Sequence, residues 1–409
     1  MLAYFTSAYF FFLFIYILKR RGLDISACII GIYMLNAFGS VYLLNTDVEY
    51  TNKIPTLMPT IVYCSMITLV TYPFYKFNSN KVRTLPHVKD KYFNILSWTL
   101  IIGFIFAIFL FKDDILLRLA MGDDIGELRG QGTRDLGNAQ ANLSGPLRLV
   151  SKVFMIIISM SAVSFLLFFY SVSHLHKKWY FNALLFLSSM GCMVASIVGI
   201  DRSIFFYWII DFIFIYILFK PYLSGKVKRV TLIFASVMVG AAIAYLLLLT
   251  FSRFEEKPFA SIFNYLGQSY LNFCWFWDNY DAPIINIGFF FPILTHFTGI
   301  DWGAPVEPVS FGWFVESKVG YFVNLFYTFM GTVMLYLGQL AVIPYCICFT
   351  IVTNKMINVH RNFGIQTFIR VFICAIIPFC GVILYLYVDY IRALGALVIL
   401  YFCSRLDKH

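Results

Sequence analysis

Seven arginines, Arg118, Arg129, Arg134, Arg148, Arg202, Arg253 and Arg392, stand between long apolar runs, in stretches whose other charges are mostly acidic. A guanidinium is a planar fork of donors that fits two phosphate oxygens at once. Arg202 lies in the very short turn Gly199-Ile-Asp-Arg-Ser203, and Arg253 follows an apolar run directly in Phe-Ser-Arg-Phe. Both positions suit a phosphate carried at the surface of a bilayer. Their plainer use is to snorkel, or to pair with Asp201 or Glu255. Arg129 and Arg134 fall in a polar, glycine-rich stretch and are further candidates for binding an anionic group.

The groups that could move a proton are fewer. Asp278 and Asp281 sit close together in Trp-Asp-Asn-Tyr-Asp, and Asp123-Asp124 is a second acidic pair. Paired carboxylates do acid–base work or hold a divalent cation, though capping and solvated surface are commoner. Glu316, ahead of Lys318, is a candidate base or half of an ion pair. His296 is the one histidine that falls with these acids rather than among the basic segments. Trp275 and Trp277 lie beside Asp278, and Trp302 and Trp313 follow. Flat apolar rings next to polar groups suit the C–H faces of sugars, and they equally suit packing. Asp211 is the one clear charge inside an apolar run, where an ionisable residue is a functional candidate by default.

The elements that must position these residues follow from composition. Of 409 residues 60% are hydrophobic and 13% charged, with mean hydropathy +0.79. A soluble domain has about 45–50% apolar and about 25% charged residues. So few charges cannot cover a soluble surface, which excludes a soluble enzyme, a nucleic-acid-binding domain and a disordered chain. The runs are long and do not alternate, which argues against a porin-type barrel. The chain is expected to be an all-α polytopic membrane protein with about eleven spans, forming one integral membrane domain over residues 1–409. The spans are expected at 2–18, 25–44, 55–75, 93–111, 149–173, 180–199, 203–219, 230–251, 323–352, 367–387 and 390–404. The last two are separated only by Asp389 and Arg392, so one long tilted helix or a re-entrant segment is an open alternative there. Eight of the nine cysteines fall in apolar runs and act as small hydrophobes.

Charge sets the expected orientation. If Lys19-Arg20-Arg21 is held inside, alternation places nineteen of the 31 Lys+Arg on that side, with only Asp24, Asp90 and Asp407 among the acids. This is the positive-inside pattern, with the N-terminus outside and the C-terminus inside. No basic region precedes the first span and no small-residue cleavage pattern follows it, so no cleaved signal peptide is expected. The inner loops are short and hold no phosphate-binding glycine motif. Two outer stretches are long, 112–148 and 252–322. The first is polar and suits a flexible lid. The second is too aromatic for disorder and is expected to pack as a cap with short or interfacial helices.

This arrangement resembles the O-antigen polymerase family, the Wzy-type oligosaccharide repeat-unit polymerases of bacterial inner membranes. The likeness covers the whole chain in architecture. Gly199-Ile-Asp-Arg-Ser203 looks like the short arginine-bearing turn of such proteins, and Asn324-Leu-Phe-Tyr-Thr-Phe-Met, continuing to Gly338, looks like the span after their large loop. Arg134 to Gly145 fits an arginine–glycine spacing of some members, whereas Arg202 and Arg253 lack it. The resemblance implies a fold similar to the membrane-embedded GT-C-like glycosyltransferases that use polyprenyl-linked donors. It implies undecaprenyl-pyrophosphate-linked oligosaccharide as substrate, membrane lipids as surroundings, a chain-length regulator as partner, and two periplasmic loops. Arginines would stabilise the leaving pyrophosphate, and a carboxylate or His296 would deprotonate the acceptor hydroxyl, with no cofactor or metal required. An O-antigen ligase shares donor and architecture. A transporter or flippase for the lipid-linked unit is a different class, but it would need a polar cavity across the bilayer, and no internal repeat or proton relay supports it.

Overall fold

The structure, a computed structural model, describes residues 1–46, 50, 53–77, 90–120, 160–199, 203–253, 258–279, 317, 328–358 and 365–382. Among the described residues there is no strand. In chain order the helices are α1 (Leu2–Arg21), α2 (Ile25–Thr46), α3 (Leu57–Lys76), α4 (Asp90–Ala120), α5 (Ser161–Tyr170, continued by a π turn at Ser171–Leu175), α6 (Trp179–Ser188), α7 (Gly191–Gly199) and α8 (Ser203–Phe219). They continue with α9 (Gly225–Arg253), α10 (Pro258–Asn279), α11 (Thr328–Leu337), α12 (Val342–Asn358, preceded by a 3-10 turn at Gln339–Ala341) and α13 (Ile365–Cys380). Among the described residues, five segments are long and apolar enough to cross a membrane: Leu2–Arg21, Ile25–Thr46, Leu57–Lys76, Asp90–Asp113 and Gln339–Ile357.

The surface of α4 shows why such helices belong in lipid. Ile95, Trp98, Ile102, Ile105 and Phe109 recur at helical spacing and are exposed. Phe93, Ser97, Leu100, Ala107 and Phe111 on the other side are buried. An apolar stripe facing outward at this length is what hydrocarbon solvates and water does not.

Helix ends follow local chemistry. α1 stops where Gly22 turns to φ 71 and its N–H reaches the Leu18 carbonyl at 2.9 Å. Lys19, Arg20 and Arg21 occupy that last turn, the favourable end for cations. α2 starts on Asp24, whose carboxylate accepts from the Ala27 N–H (2.9 Å) and the Ser26 hydroxyl (2.7 Å). That is the bonding of an N-cap.

The chain forms two compact units. The first comprises Met1–Lys81, Phe259–Asn362 and Arg370–Tyr390, and the second comprises Val82–Pro258, Phe363–Ile369 and Ile391–His409. In the first, α1, α2, α3 and α10 meet around Tyr63. Its ring lies 5.8 Å from Phe10, 6.0 Å from Tyr33, 4.8 Å from Tyr270 and 5.7 Å from Phe273. α12 runs along α3, where the Thr350 hydroxyl reaches the Leu69 carbonyl (3.2 Å). In the second unit α4 packs on α6 and α7, and α5 packs on α6 and α8. Phe165, Phe186, Trp208 and Phe212 form its aromatic centre, with Phe165 within 5.5 Å of the other three rings.

The expected spans at 2–18, 25–44 and 55–75 coincide with α1, α2 and α3 to within a few residues. Four other expectations need correction. α4 continues to Ala120, so the start of the 112–148 stretch is helix, because Lys112 and Asp113 do not interrupt helical bonding. α9 continues through Ser252 to Arg253, which removes the first residues from the 252–322 stretch. The 180–199 run is broken at Ser189–Met190 into α6 and α7. The 323–352 run is broken at Gly338, whose φ of 86 ends α11 and re-aims the chain into the segment that can span. Residues 390–404 lie outside the described residues.

Candidate functional site

α10 carries the chemistry that the structure describes most fully. It lies within the stretch expected to be an aromatic cap, and it is amphipathic, with Gly267 through Cys274 buried almost without interruption. Its polar partners come from the start of α1, the second half of α2, the residues before α3 and its first turn, and the turn before α12. The basic residues Lys19, Arg20, Arg21 and Lys76 occupy the opposite ends of α1 and α3.

The seat is built from two kinds of contact. The first is a backbone approach. A Cβ on Gly39 would lie 2.9 Å from the Gly267 Cα, and one on Gly267 would overlap the Gly39 backbone. Only two glycines let α2 and α10 come this close. The Asn36 amide and the Ser40 hydroxyl then reach across to the carbonyls of Leu266 and Gly267.

The second kind is a row of side-chain bonds. The Tyr50 hydroxyl lies 2.9 Å from Asn264 Oδ1 and 3.0 Å from Gln268 Oε1. Lys53 is 4% exposed, its Nζ donating to Asn272 Oδ1 at 3.0 Å and lying 4.5 Å from the centre of the Tyr50 ring. Thr6 and Thr60 both meet the Tyr270 hydroxyl, at 3.0 and 2.9 Å. Tyr63 donates to Asn36 Oδ1 at 2.8 Å, which ties the aromatic core to the same row. Buried polar groups of this kind cost free energy unless paired, and here they pair with one another.

The row ends at the surface with Asp278. The Thr56 hydroxyl lies 2.9 Å from both of its carboxylate oxygens, and the residue is exposed. The carboxylate is thus held by one hydroxyl and faces outward. Trp275 is half-buried, edge-on to Phe276 at 5.9 Å. Trp277 is buried at 6% exposure, its ring 5.8 Å from Phe273 and its carbonyl accepting from Gln339 Nε2 (3.0 Å). Its faces are therefore taken up by packing, and Trp275 is the better placed of the two to meet a ligand.

A separate polar cluster lies in the second unit. Asp211, 1% exposed, accepts from the Ser161 hydroxyl at 2.8 Å. Ser188 donates to Ser164 at 3.1 Å, and Trp208 Nε1 donates to Ser189 at 2.9 Å. Ser161 and Ser164 are one turn apart on α5, and Trp208 and Asp211 are one turn apart on α8. The three bonds therefore join α8 to α5, α5 to the last turn of α6, and the turn after α6 back to α8.

Asp278, Trp275 and Trp277 are thus brought together on the last turn of α10. Arg253 ends α9, in the other unit, and only its backbone is described. Arg129, Arg134, Arg202, His296 and Glu316 lie outside the described residues. Thr56, Lys53, Tyr50 and Asn36 escaped the sequence reading. The signal that could have found them is an Asn within the apolar run of α2 and polar residues between α2 and α3, opposite the Asn, Gln and Tyr of a neighbouring amphipathic segment. Among the described residues no group of three or more His, Cys, Asp or Glu is placed to hold a metal ion. Compared with models of known protein families, with curated proteins and with solved structures, the chain matches none of them.

Proposed function

We propose that the chain is a membrane glycosyltransferase that polymerises oligosaccharide repeat units carried on undecaprenyl pyrophosphate. The product would be O-antigen or a capsular or exopolysaccharide. The proposed place is the periplasmic face of a bacterial inner membrane, with the N-terminus outside, the C-terminus inside and about eleven spans. One observation carries this reading: α10 presents an exposed carboxylate and a half-buried tryptophan at the end of a membrane-type bundle opposite Lys19, Arg20, Arg21 and Lys76. By the positive-inside rule that end is the outer one.

The reaction breaks the bond between the anomeric carbon of the donor glycan and its pyrophosphate oxygen. A new bond forms from that carbon to a hydroxyl of the incoming lipid-linked unit. The hydroxyl proton goes to a base, and undecaprenyl pyrophosphate departs. Asp278 is the proposed base, with His296 and Glu316 as the other candidates from the same stretch. A positioned base contributes about 10²- to 10⁴-fold. Arg202, Arg253, Arg129 and Arg134 are proposed to hold the pyrophosphate, whose developing charge they would stabilise. Trp275 would give a face to a sugar ring, with Trp277 as its packed support. No cofactor is invoked, and a chain-length regulator is the proposed protein partner.

The test is deletion of the gene in its host, with the surface glycan resolved by length. A polymerase leaves a single repeat unit where a ladder stood. Loss of capped core with lipid-linked polymer accumulating indicates the ligase reaction instead, and an unchanged ladder refutes both.

A further inference from the structure

The exposed face of α1 carries a feature that the proposed reaction does not use. Phe5, Ala8, Tyr9, Phe12, Leu13 and Tyr16 line a shallow, open groove of about 500 Å³ along the helix. It ends in cations. The Arg20 guanidinium stacks over the Tyr16 ring at 5.1 Å, and that of Arg21 lies 4.7 Å from the centre of the Tyr75 ring on α3. Tyr16, which lines the groove, thus carries one guanidinium and Tyr75 the other. Lys19 and Lys76 flank them and are exposed. Asp24, the carboxylate that senses Arg21, is turned to Ser26 and Ala27 and is 7% exposed.

We propose that this face is a seat for one anionic diacyl phospholipid, an acyl chain in the groove of α1 and the phosphate between Arg20 and Arg21. The argument is complementarity along one helix: an apolar, aromatic trough leads into two forks of N–H donors at the depth where a helix end meets headgroups. Tyr16 and Tyr75 hold the guanidinium planes, so less ordering is needed when a phosphate arrives. A zwitterionic lipid carries the same phosphodiester, but its choline cation offsets that charge and is repelled by the two guanidinium groups, so it gains less from the arginines. The exposed stripe of α4 differs, because the lysines at its two ends, Lys91 and Lys112, each stand next to an aspartate, Asp90 and Asp113.

The experiment uses the full chain in phosphatidylcholine vesicles doped with a phospholipid bearing a photoactivatable acyl chain. The headgroup of that probe is either phosphatidylglycerol or phosphatidylcholine. Labelling is read on the tryptic peptide ending at Lys19 and on the α4 peptide ending at Lys112. One surface cation contributes on the order of fivefold to retention of an anionic lipid, so the α1 peptide should favour the phosphatidylglycerol probe by about fivefold or more. The α4 peptide should show no preference. Equal labelling of the α1 peptide by both probes overturns the proposal, and this arm needs no variant. In R20Q/R21Q the preference at α1 should fall to that of α4, and a preference retained there overturns the assignment to these arginines.

Discussion

The amides and hydroxyls that hold α10 in the first unit form an open row, whereas the serines, Trp208 and Asp211 that bond in the second unit are all buried. Both networks are made of side-chain hydrogen bonds between apolar helices, where each such bond contributes about 0.6–2 kcal/mol. The row in the first unit begins beside the Gly39–Gly267 contact and ends at a carboxylate that faces outward. In the second unit the carboxylate is inside, and the bonds tie α5, α8 and the end of α6 with the turn that follows it. A buried set of bonds fixes helices and keeps its groups from solvent. An open one fixes a helix and presents its last residue. The same residue type therefore has different work in the two units, and exposure at the end of the network separates Asp278 from Asp211.

Substitutions can break this contrast at graded points. The largest effect should come from Gly267→Leu. Its side chain meets the Gly39 backbone, which cannot give way as a flexible side chain can, and overpacking costs about 1–3 kcal/mol or more. The yield of folded protein and the thermal midpoint in detergent should both fall, whereas Gly240→Leu, with open space at its Cβ, should leave them unchanged. A normal midpoint for Gly267→Leu would mean that α10 is not seated on α2.

Asp278→Asn should act on function alone. It keeps an acceptor for Thr56 and loses the base, so polymer formation should drop by about 100-fold at an unchanged thermal midpoint. Asp211→Ala should do the reverse. It strips the Ser161 hydroxyl of its acceptor and should cost about 1–2 kcal/mol of stability, with activity per folded molecule retained. If Asp211→Ala abolished activity in molecules of normal stability, the division between an open, working row and a buried, structural set would fail.

The smallest effect concerns Asp24. Burial pushes its carboxyl above the ordinary carboxylate value of 3.8, against bonds from Ala27 and Ser26 and the charge of Arg21, which pull it down. A raised value in the folded state means that its contribution is present below the unfolded value and is lost as pH rises through the folded one. The wild-type midpoint should therefore decline slightly from about pH 4 upward relative to Asp24→Asn, which cannot titrate. A midpoint that rises instead would show the cap bonds outweighing burial.

Much of the first unit can be read from the chain in order. Leu2–Arg21, Ile25–Thr46 and Leu57–Lys76 are uninterrupted apolar runs, and charges or polar turns mark their ends. Asp211 stands out because its neighbours are all apolar. The break at Gly338 is hidden because glycine is common in membrane helices, and only its positive φ reveals a turn. α10 is harder still. Its Asn, Gln and Tyr resemble solvated loop residues until the facing helix supplies partners, and those partners lie far away in sequence: Asn36 meets Leu266 and Thr56 meets Asp278. Asp278 itself is visible beside two tryptophans, but nothing in its own segment points to Thr56, nor tells which tryptophan is packed away.

The central claim is tested most directly by giving the purified protein, in vesicles, a single substrate: the undecaprenyl-pyrophosphate-linked repeat unit of its host. Products are separated by length and by lipid. Polymerisation predicts lipid-linked chains of two units and more, with undecaprenyl pyrophosphate released once per bond formed. A repeat unit that remains single, with no pyrophosphate carrier released while the protein stays folded, contradicts it.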